Sequence, residues 1–169
     1  HDPRTCTECG GRLAWKTQTV PSIADDRKPV ADPRTLYQMV SILEGVVQRG
    51  TASGAFNGVG RPVAGKTGTT NDYKDAWFIG FTPDLVVGTY IGFDEPKTLG
   101  KSETGATAAA PIVREFMDKA LKDVPAVPFR IPEGLRMVKL NPRSGQLADP
   151  TDPRAIWEAF LPGTEPGEN

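Results

Sequence analysis

Residues 64–93 have the sequence AGKTGTTNDYKDAWFIGFTPDLVVGTYIGF, a short polar motif followed by two runs of β-type residues. The runs, residues 76–81 and 85–93, are rich in aromatic and β-branched side chains. Only Thr82-Pro83-Asp84 separates them, which predicts an antiparallel hairpin. With the motif as a preceding strand, this part of the chain predicts a three-stranded antiparallel meander.

A helix is predicted before the motif. Asp32 can cap its free amides, Pro33 suits the first helical position, and Gly50 can close its end in a left-handed conformation. The apolar residues between them recur at steps of three and four and are predicted to form one buried face: Leu36, Met39, Val40, Leu43, Val46 and Val47. Residues 51–62 are glycine-rich and predict a loop that leads to the motif.

A second helix is predicted from about Thr107, with Pro111 in its first turn, where a missing amide costs little. Its predicted inward face is Ala109, Ile112, Val113, Phe116, Met117, Ala120 and Leu121. Gly80, Gly88 and Gly92 interrupt the strands, and glycine inside a strand often marks the close approach of another backbone, here a packed helix. We therefore expect an α+β fold in which helices flank both faces of an antiparallel sheet.

The chain divides into three predicted segments. Residues 1–31 show no period and predict an extended arm, residues 32–123 form the packed part, and residues 124–169 form a proline-rich extension. Within the extension, residues 135–140 predict one strand of a small hairpin that turns at 141–145 and returns through 146–148. Ile156, Trp157 and Phe160 are predicted to anchor the extension to the core.

Composition excludes several classes of partner. The 20 basic and 21 acidic residues nearly cancel, so neither nucleic acid nor an anionic membrane surface is expected to bind. No apolar run approaches the roughly 20 residues of a membrane span, and no signal segment opens the chain. The first methionine is Met39, which favours a chain that begins inside a longer protein.

The two cysteines, Cys6 and Cys9, lie in a Cys-x-x-Cys pattern within the arm. A structural zinc site needs four ligands, and the chain's single histidine is His1. A local disulfide or two free thiols fit this count better, and both interpretations stay open. We predict no metal site and no cofactor.

Residues 60–67 match the phosphate-binding pattern G-x-x-x-x-G-K-[ST] letter for letter. That loop works only between a buried strand and a helix that begins at the lysine, because free helix amides hold the phosphates. Here a glycine-rich loop precedes the pattern, and Gly68, Thr69, Thr70 and Asn71-Asp72 follow it. The context therefore argues against nucleotide binding.

Lys66-Thr67-Gly68 matches instead the lysine-threonine-glycine strand of serine acyl transferases that react with penicillin. On a strand at a sheet edge, Lys66 and Thr67 point to opposite faces, and Gly68 lets a substrate approach the backbone. The amide of Thr69 can donate to a developing oxyanion, and its hydroxyl can hold a substrate carboxylate. Lys66 would supply positive potential across the cleft.

Other residues near the motif have simpler interpretations. Trp77, Phe78 and Phe81 are interpreted as sheet core rather than as a substrate platform. The charged residues of the intervening stretch, Asp72, Lys74 and Asp75, are interpreted as a polar turn or a salt bridge at the start of a strand.

Residues 66–84, together with residues 44–51 before them, closely resemble class A penicillin-binding proteins, the bifunctional peptidoglycan synthases of the bacterial envelope. The match runs from about residue 32 to 121 and more weakly to residue 160, and the arm resembles an insertion in some proteobacterial members. The resemblance implies the C-terminal part of a transpeptidase domain with a penicillin-binding or β-lactamase-like fold. It also implies Lys66 and Thr69 as catalytic groups, and a substrate site at Thr67, Gly68, Thr69 and Thr70.

Two other motifs of that family are absent from this sequence. The nucleophile motif S-x-x-K has no match, since the residues three places after the five serines are Asp25, Glu44, Phe56, Gly105 and Leu147. No S-x-N triplet occurs either. Both motifs precede the lysine-threonine-glycine strand in the family, so we expect this chain alone to be inactive.

The resemblance implies further partners and a place in the cell. Peptidoglycan stem peptides and β-lactam antibiotics are the expected ligands, and the N-terminal part of the same domain is the expected protein partner. Loss of that part would leave the strand at 85–93 with a free edge, which can self-associate. The expected location is the periplasmic side of the bacterial inner membrane, with the anchor outside this chain. A β-lactamase or D,D-carboxypeptidase relative and a non-catalytic envelope-binding module remain alternatives.

Overall fold

The computed structural model describes residues 28–167. Contacts divide the chain into two units, His1–Val30 and Ala31–Asn169, and every helix and strand of the described part belongs to the second unit. In chain order the α-helices and strands are α1 (Pro33–Gln48), β1 (Ala64–Thr69), β2 (Ala76–Phe81), β3 (Val86–Ile91), α2 (Ala110–Ala120), β4 (Arg136–Leu140) and β5 (Ile156–Phe160). The predicted arm with Cys6 and Cys9 lies outside the described residues. Within residues 28–167, no helix is both long enough and apolar enough to cross a membrane.

The first three strands form an antiparallel sheet in the order β1-β2-β3, as the meander prediction requires. The register pairs Gly68 with Trp77, and Trp77 with Tyr90. Because side chains alternate along each strand, Phe78 lies on the face opposite to Trp77. This alternation separates a buried face from an open face.

Helix α1 begins at the predicted cap. The Asp32 side chain accepts a 2.8 Å hydrogen bond from the Arg34 amide, which satisfies one of the free donors of the first turn. The predicted left-handed Gly50 is wrong, because the helix is capped one residue earlier at Arg49 and Gly50 does not have a positive φ. Glycine is needed there for space, since a Cβ on Gly50 would lie 2.8 Å from the Cα of Val46.

The hydrophobic core lies on the Phe78 face of the sheet. Phe78 is fully buried, and its ring centroid lies 5.4 Å from that of Phe56 in the loop after α1. Val47 at the end of α1 joins this cluster, as do Val113 and Met117 of α2. The loop that leads to the motif is therefore part of the core.

The opposite face of the sheet is open within the described part of the chain. Trp77, Ile79 and Tyr90 are 43%, 49% and 50% exposed. The prediction that helices flank both faces is wrong because α1 and α2 pack against the same face. The interpretation of Trp77 as core is wrong for the same reason, whereas that of Phe78 is confirmed.

The buried faces of both helices are narrower than predicted. Leu36 and Met39 of α1 are 46% and 54% exposed, and Ile112 and Phe116 of α2 are 50% and 52% exposed. Only the C-terminal end of α1 and one line of α2 residues enter the core. Apolar spacing alone identifies a helix face, but the width that is buried depends on what packs against it.

The C-terminal extension forms a hairpin with a different partner strand from the predicted one. β4 pairs with β5 over residues 156–160, while the predicted return at 146–148 contributes only a single bridge between Leu140 and Leu147. The hairpin is fixed to α1 by a hydrogen bond from Gln38 Nε2 to the carbonyl of Ala159 at 2.9 Å. An ion pair between Arg49 and Glu158 at 2.6 Å adds a second attachment.

Candidate active site on the first strand

β1 is an edge strand of the three-stranded sheet. Its register places Lys66 opposite Ile79 and Gly68 opposite Trp77, so these two motif residues lie on the open face. Thr67 and Thr69 lie on the other face, opposite Phe78 and Ala76. The motif therefore presents an amine on one face and two hydroxyls on the other, as its alternation predicts.

The Lys66 side chain is exposed and folds back along its own strand. Its Nζ donates a 2.7 Å hydrogen bond to the carbonyl oxygen of Thr67. This contact holds the ammonium group beside the strand edge. A cation at this edge can attract a carboxylate and stabilise negative charge that develops near the strand.

The hydrogen bond from Lys66 also shows which backbone groups point away from β2. The Thr67 carbonyl accepts from Lys66, whereas the Thr70 amide donates to the Asp75 carbonyl on the β2 side, so the backbone groups of Thr67 and Thr70 point to opposite sides of β1. In an antiparallel strand, backbone groups of alternate residues point to the same side. The Thr69 amide consequently points to the edge of β1 that is unpaired within residues 28–167.

Both candidate hydroxyls on the inner face already have one partner. Thr67 Oγ1 lies 2.9 Å from Thr51 Oγ1, in the turn that follows α1. Thr69 Oγ1 accepts a 3.1 Å hydrogen bond from the amide of Gly105. A hydroxyl carries one proton and two lone pairs, so Thr69 retains its proton for a ligand.

Thr70 closes the turn after the strand. Its hydroxyl accepts from the Asp75 amide at 2.8 Å, and its own amide donates to the Asp75 carbonyl at 3.1 Å. The next residues, Asp72 and Tyr73, have φ values of 60° and 54°, a region that is sparsely populated by residues other than glycine. Leu99 stabilises this turn by a 2.7 Å hydrogen bond from its amide to the Tyr73 carbonyl.

The charged residues of this turn form local contacts, as interpreted from the sequence. Lys74 and Asp72 form a 3.9 Å ion pair, and Asp75 accepts a 2.9 Å hydrogen bond from the Tyr90 hydroxyl. That hydrogen bond raises the pKa of Tyr90, because it stabilises the protonated phenol beside a carboxylate. The Tyr90 ring also packs against Trp77, with ring centroids 4.7 Å apart.

Two residues that contact the motif threonines were not predicted from the sequence. Thr51 and Gly105 lie 16 and 36 positions from their threonine partners, so no local period connects them with the motif. The one available signal was position: Thr51 follows the end of α1, and Gly105 precedes α2. Neither position by itself indicates a contact with β1.

Comparison with known proteins places this geometry in context. The family model for the penicillin binding protein transpeptidase domain matches residues 17–118. Penicillin-binding protein 1A of Rickettsia bellii is 42% identical over 160 residues, which cover 94% of this chain and 20% of that protein. Penicillin-binding protein 1A of Pseudomonas aeruginosa is 44% identical over 151 residues, which cover 88% of this chain and 18% of that protein.

A solved structure agrees with these sequence relatives. The crystal structure of Penicillin-Binding Protein 1A from Haemophilus influenzae matches with a TM-score of 0.71 and 31% identity, over 82% of this chain and 22% of that chain. This match confirms the predicted α+β transpeptidase fold. The chain spans about a fifth of the length of the curated relatives that it matches.

Proposed function

Because the chain belongs to the penicillin-binding protein transpeptidase family, we propose that it supplies one wall of a serine D,D-transpeptidase active site in peptidoglycan synthesis. One observation carries the proposal: on a strand edge that is unpaired in the described part of the chain, four polar groups surround Gly68. They are the Thr69 amide, the hydroxyls of Thr67 and Thr69, and the Lys66 amine. These groups suit a substrate that carries both an amide carbonyl and a terminal carboxylate.

The proposed reaction is acyl transfer in two steps. A serine hydroxyl attacks the amide between the two D-alanines of a stem peptide, an ester to the serine forms, and the terminal D-alanine leaves with a proton. The amine of a neighbouring stem then attacks that ester and takes the acyl group, which restores the serine. The product is a peptide cross-link.

Each motif residue has a role in that reaction. The Thr69 amide donates to the oxyanion, while the hydroxyls of Thr67 and Thr69 hold the substrate carboxylate. Gly68 allows the substrate backbone to lie close to the strand. Lys66 contributes electrostatic stabilisation and takes part in proton relay, and Thr70 completes the substrate site at the end of the strand.

The nucleophilic serine and the lysine of the S-x-x-K motif, and the serine of the S-x-N motif, come from a segment outside this chain. The sequence contains neither S-x-x-K nor S-x-N, and the face that carries Lys66 and Trp77 is open within residues 28–167. A segment that covers this face would bring its side chains next to Lys66. In the cell, we place this assembly on the periplasmic side of the inner membrane, with stem peptides and β-lactams as its ligands.

The edge of β3 that is unpaired within residues 28–167 is a proposed site of self-association. β3 ends the three-stranded sheet, and its Val86 side chain is 70% exposed. Unpaired strand edges of this kind recruit other strands. We expect light scattering to show concentration-dependent self-association of the isolated chain, and a monomer at every concentration would contradict this expectation.

A chimera tests the proposed function. Residues 32–121 of this chain replace the aligned segment of Penicillin-binding protein 1A from Pseudomonas aeruginosa, and the folded product is incubated with fluorescent penicillin. We expect covalent labelling that falls on the order of a hundredfold in Lys66→Ala, as removal of a proton-transfer group predicts. Lys101→Ala, which changes an exposed lysine outside the β1 strand, is the matched control and should label normally.

The alternatives predict different outcomes. A hydrolase would be labelled and would then lose the label as the ester is hydrolysed. A non-catalytic module would leave a correctly folded chimera unlabelled, and that result would remove the proposed function. Equal labelling of the Lys66→Ala variant and its control would remove the role of Lys66.

A further inference from the structure

We propose that Gly105 is a positioning residue for the transpeptidase site, because it orients the Thr69 hydroxyl toward the substrate carboxylate. The inference rests on the proposed function of β1 and assigns a role to a residue outside the recognised motif. Gly105 lies 36 positions along the chain from Thr69, at the start of the π-helical turn Gly105–Ala109 that leads into α2. π-Helical turns of this kind are frequent at functional sites.

The contact between Gly105 and β1 has room for no side chain. A Cβ on Gly105 would lie 2.2 Å from the carbonyl oxygen of Trp77, and 2.6 and 2.9 Å from the carbonyl oxygen and amide nitrogen of Gly68. All three atoms belong to the backbone of paired strands, so they do not swing aside as the end of a side chain can. Any larger residue must push the turn away from β1.

The turn that carries Gly105 is fixed from its other side. Thr104 and Thr107 form a reciprocal cap, in which each hydroxyl accepts from the amide of the other residue, at 3.2 and 2.9 Å. Thr107 also donates its hydroxyl to the carbonyl of Ser102. Ala109 at the end of the turn is fully buried, so the turn and α2 are seated in the core together.

The chemistry follows from the direction of the hydrogen bond. The Gly105 amide occupies one lone pair of Thr69 Oγ1 from the inner side of the sheet. The hydroxyl proton is then left to point outward, and donation from the Gly105 amide strengthens its polarity. A hydroxyl fixed as a donor suits a carboxylate, which accepts hydrogen bonds and has none to give.

The simplest competing explanation is that Gly105 only provides space where α2 meets the sheet. In that case a substitution would lower stability and slow acylation by every substrate alike. A positioning role predicts instead a loss that depends on the substrate carboxylate and on the Thr69 hydroxyl. The two explanations are separable in the chimera described above.

The experiment measures acylation rate constants for a labelled penicillin and for its carboxylate methyl ester, in Gly105→Ala and in the control Gly54→Ala. No heavy atom lies within 4 Å of a Cβ on Gly54. We expect the acylation rate constant of Gly105→Ala to fall roughly tenfold with the acid, as the loss of one hydrogen bond predicts, and much less with the ester. In a Thr69→Val background, the substitution at Gly105 should have almost no further effect.

Several results would overturn the inference. They are equal rates for Gly105→Ala and Gly54→Ala, an equal loss with acid and ester, or an undiminished loss in the Thr69→Val background. If Gly105→Ala does not fold, Thr104→Val tests the same point, because it weakens the cap without adding atoms beside β1. For Thr104→Val, a smaller loss of acylation rate that affects the acid more than the ester supports the positioning role. No loss, or an equal loss with both substrates, refutes it. An unlabelled, folded chimera without these substitutions would instead contradict the proposed function itself.

Discussion

Gly65 in β1 is the position where a single added methyl group tests the packing of the sheet most sharply. A Cβ there would lie 2.6 Å from Phe78 Cζ, 2.8 Å from the Ile79 carbonyl oxygen and 3.2 Å from Gly80 Cα. To reach ordinary contact the Phe78 ring must move by about 0.8 Å, although it is fully buried against Phe56. Overpacking of this kind costs about 1–3 kcal/mol.

Gly88 in β3 is the matched control for Gly65. It is also a strand glycine, but the nearest atom to its added Cβ is Ile79 Cγ1 at an ordinary 3.8 Å. Gly88→Ala should therefore be neutral or stabilising by up to about 1 kcal/mol, because alanine restricts the unfolded chain.

Urea unfolding followed by far-UV circular dichroism measures both changes. With a dependence of about 1–3 kcal/mol per molar urea, Gly65→Ala should lower the midpoint by roughly 1 M. Gly88→Ala should leave the midpoint unchanged or raise it. An unchanged midpoint for Gly65→Ala, or an equal loss in both variants, would refute this account of the core.

Two further predictions concern pH and α1. The side-chain hydrogen bonds from the Arg34 guanidinium, together with the bond from the Arg34 amide, lower the pKa of Asp32 from 3.8 to about 2, so the stability that these contacts supply is present above pH 3.8 and is lost as pH falls toward 2. Asp32→Ala should lower the thermal midpoint at pH 7 by roughly 2–4 °C, whereas Asp32→Asn, which keeps a capping oxygen, should lose less and should lack this acid transition. Burial raises the pKa of Glu44 above its ordinary 4.5, so its ionisation costs stability as pH rises through that range. Glu44→Gln should raise the thermal midpoint at pH 7 but not below pH 4, and the exposed Glu95→Gln should do neither; an equal effect at both pH values would contradict the burial argument.

The sequence predicted those elements whose signals are local. Asp32 and Pro33 mark the start of α1 within two residues, and Thr82-Pro83-Asp84 marks the turn of the hairpin. Which sheet face is buried was not predictable in this way, because Trp77 and Phe78 are neighbours with similar hydrophobicity. The choice depends on Phe56 and Val113, which approach from distant parts of the chain.

The partner of β4 was mispredicted for a related reason. Asn141 and Gly145 do form a turn: the Asn141 side chain accepts from the Arg143 amide, and Gly145 has a φ of 71°. That turn suggests a short return strand, but the entropy of closing a longer loop grows slowly with its length. β5 pairs along five residues and contacts α1 as well, so it provides more contacts than the nearer segment.

Within the candidate site, alternation along β1 was enough to separate Lys66 from Thr67. Alternation could not predict which residues contact the inner face of β1. The hydrogen bond between Thr51 and Thr67 and the one from the Gly105 amide to Thr69 exist only once the loop after α1 and the turn before α2 have packed against β1. Such contacts follow from the tertiary fold and leave no local pattern in the sequence.

Intact-mass measurement with labelled penicillin tests the central claim most directly. The isolated chain and the Pseudomonas aeruginosa chimera are incubated under the same conditions, and covalent adducts are counted. One adduct on the chimera and none on the isolated chain would agree with a chain that supplies one wall of the active site but not the nucleophilic serine. An adduct on the isolated chain, or a folded chimera that stays unlabelled, would contradict it.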